Sequence, residues 1–229
     1  KVFLLEVLAI TRTGCAIPVS FYTSYNMTVF GMTGVSVLVA AGVVLHQSSR
    51  ARRCRIPRLT EIIKPLFMFW LLCYPAVSLK LFQVFNCMEV ESVRLLIQDM
   101  RLSCDDDTWK VYAVVSVGYL LVFTAGLPVG ISLYVYRHRH SLSSSTTLAS
   151  IGFVYEQYGP QAYAWEPLEL VRKLILTSGL TLLDPETPLP LTLAVVVSAA
   201  AHVVHAAYKP FVERRHYLLQ HGSLSITTL

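Results

Sequence analysis

Hydrophobic residues in this chain gather into long unbroken runs. They neither alternate with polar residues nor recur every third or fourth position. Thr13 to Leu45 contains no Asp, Glu, Lys or Arg. Pro18 and the polar stretch from Tyr22 to Asn26 interrupt that run, which places a first span at about 27–46. A bilayer core takes about 20 mostly apolar residues as a helix. By the same measure further spans fall at about 62–85, 111–136, 166–183 and 189–208, with the beginning of another at 217–229. A short apolar run, Val2 to Ile10, precedes the first span and reads as the end of a truncated span or as an interfacial helix. The pattern predicts an all-α fold: a multi-pass transmembrane helix bundle of about five complete spans plus partial segments at both ends, forming one unit over 1–229. Pro75 inside the second span and Gly126 with Pro128 inside the third predict helix kinks.

The polar connections fix an orientation. Five arginines lie within residues 50–58, directly after the first span. Arg137-His138-Arg139-His140 opens the connection 137–150, and Lys209, Arg214 and Arg215 follow the fifth span. Short loops rich in Lys and Arg stay on the cytoplasmic side, so loops 50–58, 137–150 and 209–216 are expected there. The acidic stretch 86–107 and the turn 184–188 then lie on the opposite face. All five connections agree with one alternating path.

Composition narrows the class further. Of 229 residues, 54% are hydrophobic and 14% charged, against about 25% charged in ordinary soluble chains. Mean hydropathy is +0.54. So few charges could not solvate a globule of this size, and disordered chains need the opposite balance. The net charge of +5 sits between apolar runs with no interleaved aromatic pattern, which argues against nucleic acid as a partner and for membrane lipid. Lys1 to Ala16 has a loose signal-peptide outline, but Glu6 breaks its apolar run and Arg12 precedes its small-residue end. The chain starts at Lys1 beside apolar sequence and is read as a piece of a longer protein.

Four groups of residues carry candidate chemistry. Cys87 and Cys104 share the outer loop, where an oxidising compartment would let them pair; two free thiols are the alternative, and the pairing of Cys15 stays open. Glu166, Glu169, Arg172 and Lys173 lie on a helix entering the membrane. Glu169 is three residues from Arg172 and four from Lys173, so the three share a face. Ionisable groups at membrane depth are costly and face the bundle interior. The set reads as a structural ion-pair cluster, with a gate, a lipid-headgroup site or part of an ion path as the functional alternative. His202 and His205, near the inner end of the fifth span, could take a proton or a metal, but two histidines make an incomplete site and packing is the plainer reading. Asn26-Met27-Thr28 matches a glycosylation sequon abutting the membrane and is expected to be unused. No Cys/His spacing matches a metal site, no cofactor motif is present, and no nucleophile elbow, phosphate loop or HExxH appears, so the chain does not read as an enzyme.

Several motifs in order and spacing carry a resemblance. They are Tyr74-Pro75, the run Leu81 to Cys87, Cys104, Trp109, Gly126-Leu127-Pro128, the runs Gly152 to Tyr158 and Trp165 to Lys173, and Ala207 to Phe211. Together, from about residue 62 onward, they resemble the C-terminal polytopic region of large algal and protist surface proteins, often described as transient-receptor-potential-like. Tyr163-Ala164-Trp165 departs from the Tyr-Trp of that pattern. The resemblance implies a membrane bundle with the two outer cysteines bridged, attached to a larger extracellular part and to other membrane or extracellular subunits, in a eukaryotic plasma or ciliary membrane. No pore loop or acidic filter ring accompanies it. The expected function is an anchor or structural subunit of a surface or membrane assembly. A channel-like ion-conducting subunit is the first alternative, and a lipid or small-molecule carrier the second.

Overall fold

The computed structural model describes residues 20–50, 59–139, 152, 155–159, 162, 165–183 and 187–228. Outside them fall the short apolar run 2–10, most of the basic loop 50–58, most of the connection 137–150 and residues 184–186 of the turn 184–188. Cys15 lies outside them as well.

Two long helices come first, α1 (Phe21–Arg50) and α2 (Leu59–Gln83). α3 (Asp107–Tyr119) continues through a wider π-helical turn, Leu120–Ala125, into α4 (Gly126–Arg137). α5 (Trp165–Thr177) ends in a short 3-10 turn, Gly179–Leu182, and α6 (Leu189–Tyr208) and α7 (Arg214–Thr228) follow. Four stretches are long and apolar enough to cross a bilayer: Phe21–Leu45, Lys64–Gln83, Asp107–Arg137 and Leu189–Tyr208. Their outer faces are apolar. Leu38, Val114 and Val122 are each more than two-thirds exposed, an arrangement that water would penalise and lipid does not.

The expected span at 166–183 is not among these four. Its α-helix stops at Thr177, after 13 residues, or about 20 Å at the helical rise. Thr177 turns its hydroxyl back to the Lys173 carbonyl at 2.7 Å, and Ser178 and Gly179 lead into the tighter turn.

The fold is also not purely helical. Residues 87–103 form a three-stranded antiparallel sheet, β1 (Cys87–Val90), β2 (Val93–Leu96) and β3 (Asp99–Ser103), in the order β1-β2-β3. β1 and β2 are joined by a two-residue hairpin at Glu91 and Ser92, both with positive φ (47° and 70°). That geometry normally draws Asn-Gly or Asp-Gly; with Glu-Ser in its place the hairpin carries no ordinary sequence signal. One face of the sheet closes over the helix ends, with Leu96 and Cys104 buried. A disulfide joins Cys87, at the start of β1, to Cys104, just past β3. The Trp109 indole donates to the Val84 carbonyl at 2.9 Å, tying the start of α3 to the end of α2.

Pairings between side chains set the helix directions. Lys80 lies over the Phe21 ring and the Trp70 indole donates to Ser36 at 2.9 Å, so α1 and α2 run antiparallel. α1 and α3 run parallel: Tyr22 stacks on Tyr112, and Phe30 meets Tyr119. The polar residues Tyr22 to Asn26, expected to break the first span, are helical, with Tyr22, Tyr25 and Asn26 turned toward α3. Tyr25 shares a buried hydrogen bond with Ser116 at 2.8 Å, and the Asn26 amide donates to the Tyr112 hydroxyl at 3.0 Å. Asn26 is thereby committed to an interhelical contact. The first amide of α1, Phe21, finds a carboxylate in Asp99 of β3 at 3.3 Å, at the helix end where negative charge is favoured.

The expected irregularity in the third span falls one turn ahead of Gly126. Pro128 has no amide to offer the Thr124 carbonyl four residues earlier, and the wider turn ends just after Thr124. A methyl group added at Gly126 would meet the Leu121 carbonyl oxygen at 3.2 Å. α2 runs through both Pro65 and Pro75 as continuous helix.

Candidate functional site

At the end of the molecule away from the sheet, α5, α6 and α7 enclose a cluster of polar and aromatic side chains. α5 opens with Trp165-Glu166-Pro167, where proline in the first turn costs no hydrogen bond. The helical period then puts Trp165, Glu169 and Arg172 on one face. Glu169 is buried, 6% exposed. Its Oε2 accepts from Arg172 Nη2 at 2.7 Å, from Arg172 Nε at 3.2 Å and from Gln220 Nε2 of α7 at 3.2 Å. A buried carboxylate is tolerable only when paired and bonded in this way.

Glu166 is held differently. Its Oε2 accepts from the Tyr158 hydroxyl at 2.6 Å. Burial pushes the Tyr158 phenol up from its ordinary value, and the Glu166 carboxylate beside it adds to the effect. Tyr158 belongs to a segment that pairs with the α6–α7 connection: Gly159 donates its amide to the Pro210 carbonyl at 2.8 Å and Val212 to the Gln157 carbonyl at 3.1 Å. Lys173 is half-buried on the same helix, and Arg172 forms an ion pair with Glu169. Of the four charged residues singled out in the sequence, Glu169 and Arg172 are thus joined directly, and Glu166 occupies a neighbouring site.

The histidines complete the cluster. His205 of α6 is fully buried. Its ring stacks on Tyr217 of α7, with centroids 4.9 Å apart, and lies near Trp165 at 5.9 Å and Phe211 at 5.8 Å. His221 of α7 stands 4.5 Å from His202 and 6.0 Å from His205. Neither ring nitrogen of His205 has a hydrogen-bond partner among the described residues, nor have His221 Nδ1 and Trp165 Nε1. No group of three or more metal-ligating side chains is arranged to hold an ion among the described residues.

Sequence reasoning found the α5 charges and the histidine pair as separate features and did not join them. The missing piece is α7. Tyr217, Gln220, His221 and Leu224 recur at the three-and-four spacing of one helix face, and that face supplies the partners of both groups.

No protein-family profile matches the chain, and no solved structure matches it. The chain is similar to Cysteine repeat modular protein A of Toxoplasma gondii: the two are 29% identical over 142 residues, covering 57% of this chain and 4% of that protein. The chain thus spans a small fraction of the length of the curated relative it matches.

Proposed function

We propose that this chain is the polytopic membrane region, of the transient-receptor-potential-like type, through which a larger cysteine-rich surface protein is anchored. One observation carries the reading. Polar side chains bond α1, α2 and the α3–α4 run to one another: Tyr25 to Ser116, the Asn26 amide to Tyr112, Trp70 to Ser36, Tyr74 to the Thr124 carbonyl, and Ser78 to Thr124. Such bonds hold helices together in lipid, where apolar contact alone does not favour association. Two further points support it. The similar Toxoplasma protein is named for cysteine repeats and is far longer than this chain. The disulfide-braced sheet presents a rigid attachment surface at one end of the bundle. In this reading the sheet faces outward, the connections 50–58, 137–150 and 209–216 face the cytoplasm, and the partners are membrane lipid and extracellular subunits.

A channel-like role is the second reading, favoured by the polar cluster among α5, α6 and α7. The two are separated by one experiment. The chain fused to a soluble reporter is expected to stay in the membrane pellet after an alkaline carbonate wash. Purified into planar bilayers it is expected to pass no current. A unitary conductance that disappears in Glu169→Gln would overturn the anchor in favour of the channel.

A further inference from the structure

We propose that His205, with His202 and His221 beside it, forms a proton-binding site that holds α7 against α6 while the rings are neutral and lets it go when one of them takes up a proton. The inference stands on the packing of α5, α6 and α7, independently of the anchor reading.

Three imidazoles meet across one helix pair. His221 reaches His202 and His205 in ring contact, and Tyr217 stacks on both His205 and His221 with its ring within 13° of each. These aromatic contacts join α7 to α6 and close His205 off from water. An imidazolium carries two N–H donors and no acceptor. His205 is fully buried, and nothing among the described residues accepts from either of its nitrogens.

The charged and titratable groups facing His205 are of both signs, and none accepts a hydrogen bond from its ring. From α5 come Glu169 and Arg172, from α6 His202, and from α7 His221. Glu169 would attract a positive charge, but its Oε2 is already held by Arg172 and Gln220. Arg172 and the two other histidines would repel an added positive charge. Trp165 and Phe211 meet the His205 ring tilted by 57° and 59° and Tyr217 lies flat on it, and none of the three takes a hydrogen bond from its nitrogens. In the released arrangement the same imidazoles meet water, which accepts from both nitrogens. Proton uptake from the aqueous phase therefore favours separation of α7.

The test is hydrogen–deuterium exchange on the full chain in lipid nanodiscs, read by mass spectrometry and corrected for the intrinsic pH dependence of exchange. If one histidine takes its proton only after release, at the ordinary imidazole value of about 6.5, the released fraction rises about tenfold between about pH 7.5 and about pH 5.5. Exchange in peptides covering 214–228 is expected to rise by that factor, while peptides from α1 stay unchanged. His205→Phe, which keeps a ring in the stack, is expected to flatten the response. His221→Phe serves as a second variant should the first fail to fold. A pH-independent wild type overturns the proposal, and so does a response that survives in both variants.

Discussion

The Tyr74 hydroxyl donates to the Thr124 carbonyl at 2.9 Å, the carbonyl that Pro128 leaves without an amide. A residue of α2 thereby repairs the break that proline makes in the α3–α4 run, and Ser78 adds a contact to the Thr124 side chain at 3.2 Å. The two helices are coupled at the one place where the backbone of the longer run departs from regular geometry. Tyr74→Phe keeps the ring and removes the donor. It is expected to cost about 1–3 kcal/mol, the penalty for a buried carbonyl left unbonded. Pro128→Ala restores an amide, so the same Tyr74→Phe change made on that background should cost measurably less. Unfolding of the four proteins in mixed micelles gives the coupling; additive losses would mean that Tyr74 does not act through Thr124.

Breaking the α5 ion pair from one side should harm the protein more than removing both charges. Arg172→Met takes the guanidinium away from the buried Glu169 carboxylate, a loss of about 3–5 kcal/mol. Arg172→Met with Glu169→Gln removes the uncompensated charge and should recover much of that loss. Yield of folded protein after detergent extraction and thermal unfolding provide the comparison.

The bridge between Cys87 and Cys104 closes the loop that carries the sheet. In the chain-entropy view a loop of this size contributes about 3 kcal/mol. Replacing both cysteines with serine is expected to leave the helices in place while opening residues 86–106 to protease. Without reductant, maleimide should fail to label either cysteine in the native protein.

Acid should loosen the sheet from α1. The Arg101 guanidinium bonded to Asp99, with the Phe21 amide on the same carboxylate, holds that carboxyl below its usual range. A depressed folded-state value means stability that is present above the ordinary carboxylate value, about 3.9, and lost as pH falls through the folded one. Protease cleavage near the start of α1 is thus expected to rise only below about pH 4, and Asp99→Asn should show that cleavage already at neutral pH.

How much of this was legible in the chain depends on what kind of signal each part carries. Apolar runs with few charges announced the four long helices, because length and apolar composition can be read directly off the chain. The hairpin at Glu91-Ser92 was silent, since its left-handed residues are not the ones that usually adopt that conformation. The start of α1 was hidden for another reason: Tyr22 to Asn26 look like a polar break until Tyr112 and Ser116, about ninety positions away, supply their partners. The α5 charges were visible by their spacing, but Gln220 and His221 gain their meaning only from tertiary contact.

The sheet also has a mechanical meaning. Its first strand follows α2, its last strand leads into α3, and Asp99 grips the head of α1. In the proposed orientation, a pull from outside the membrane would therefore not tug on a single helix. It would be divided by a small stiff yoke among three, each of which must be dragged through lipid before any one can leave.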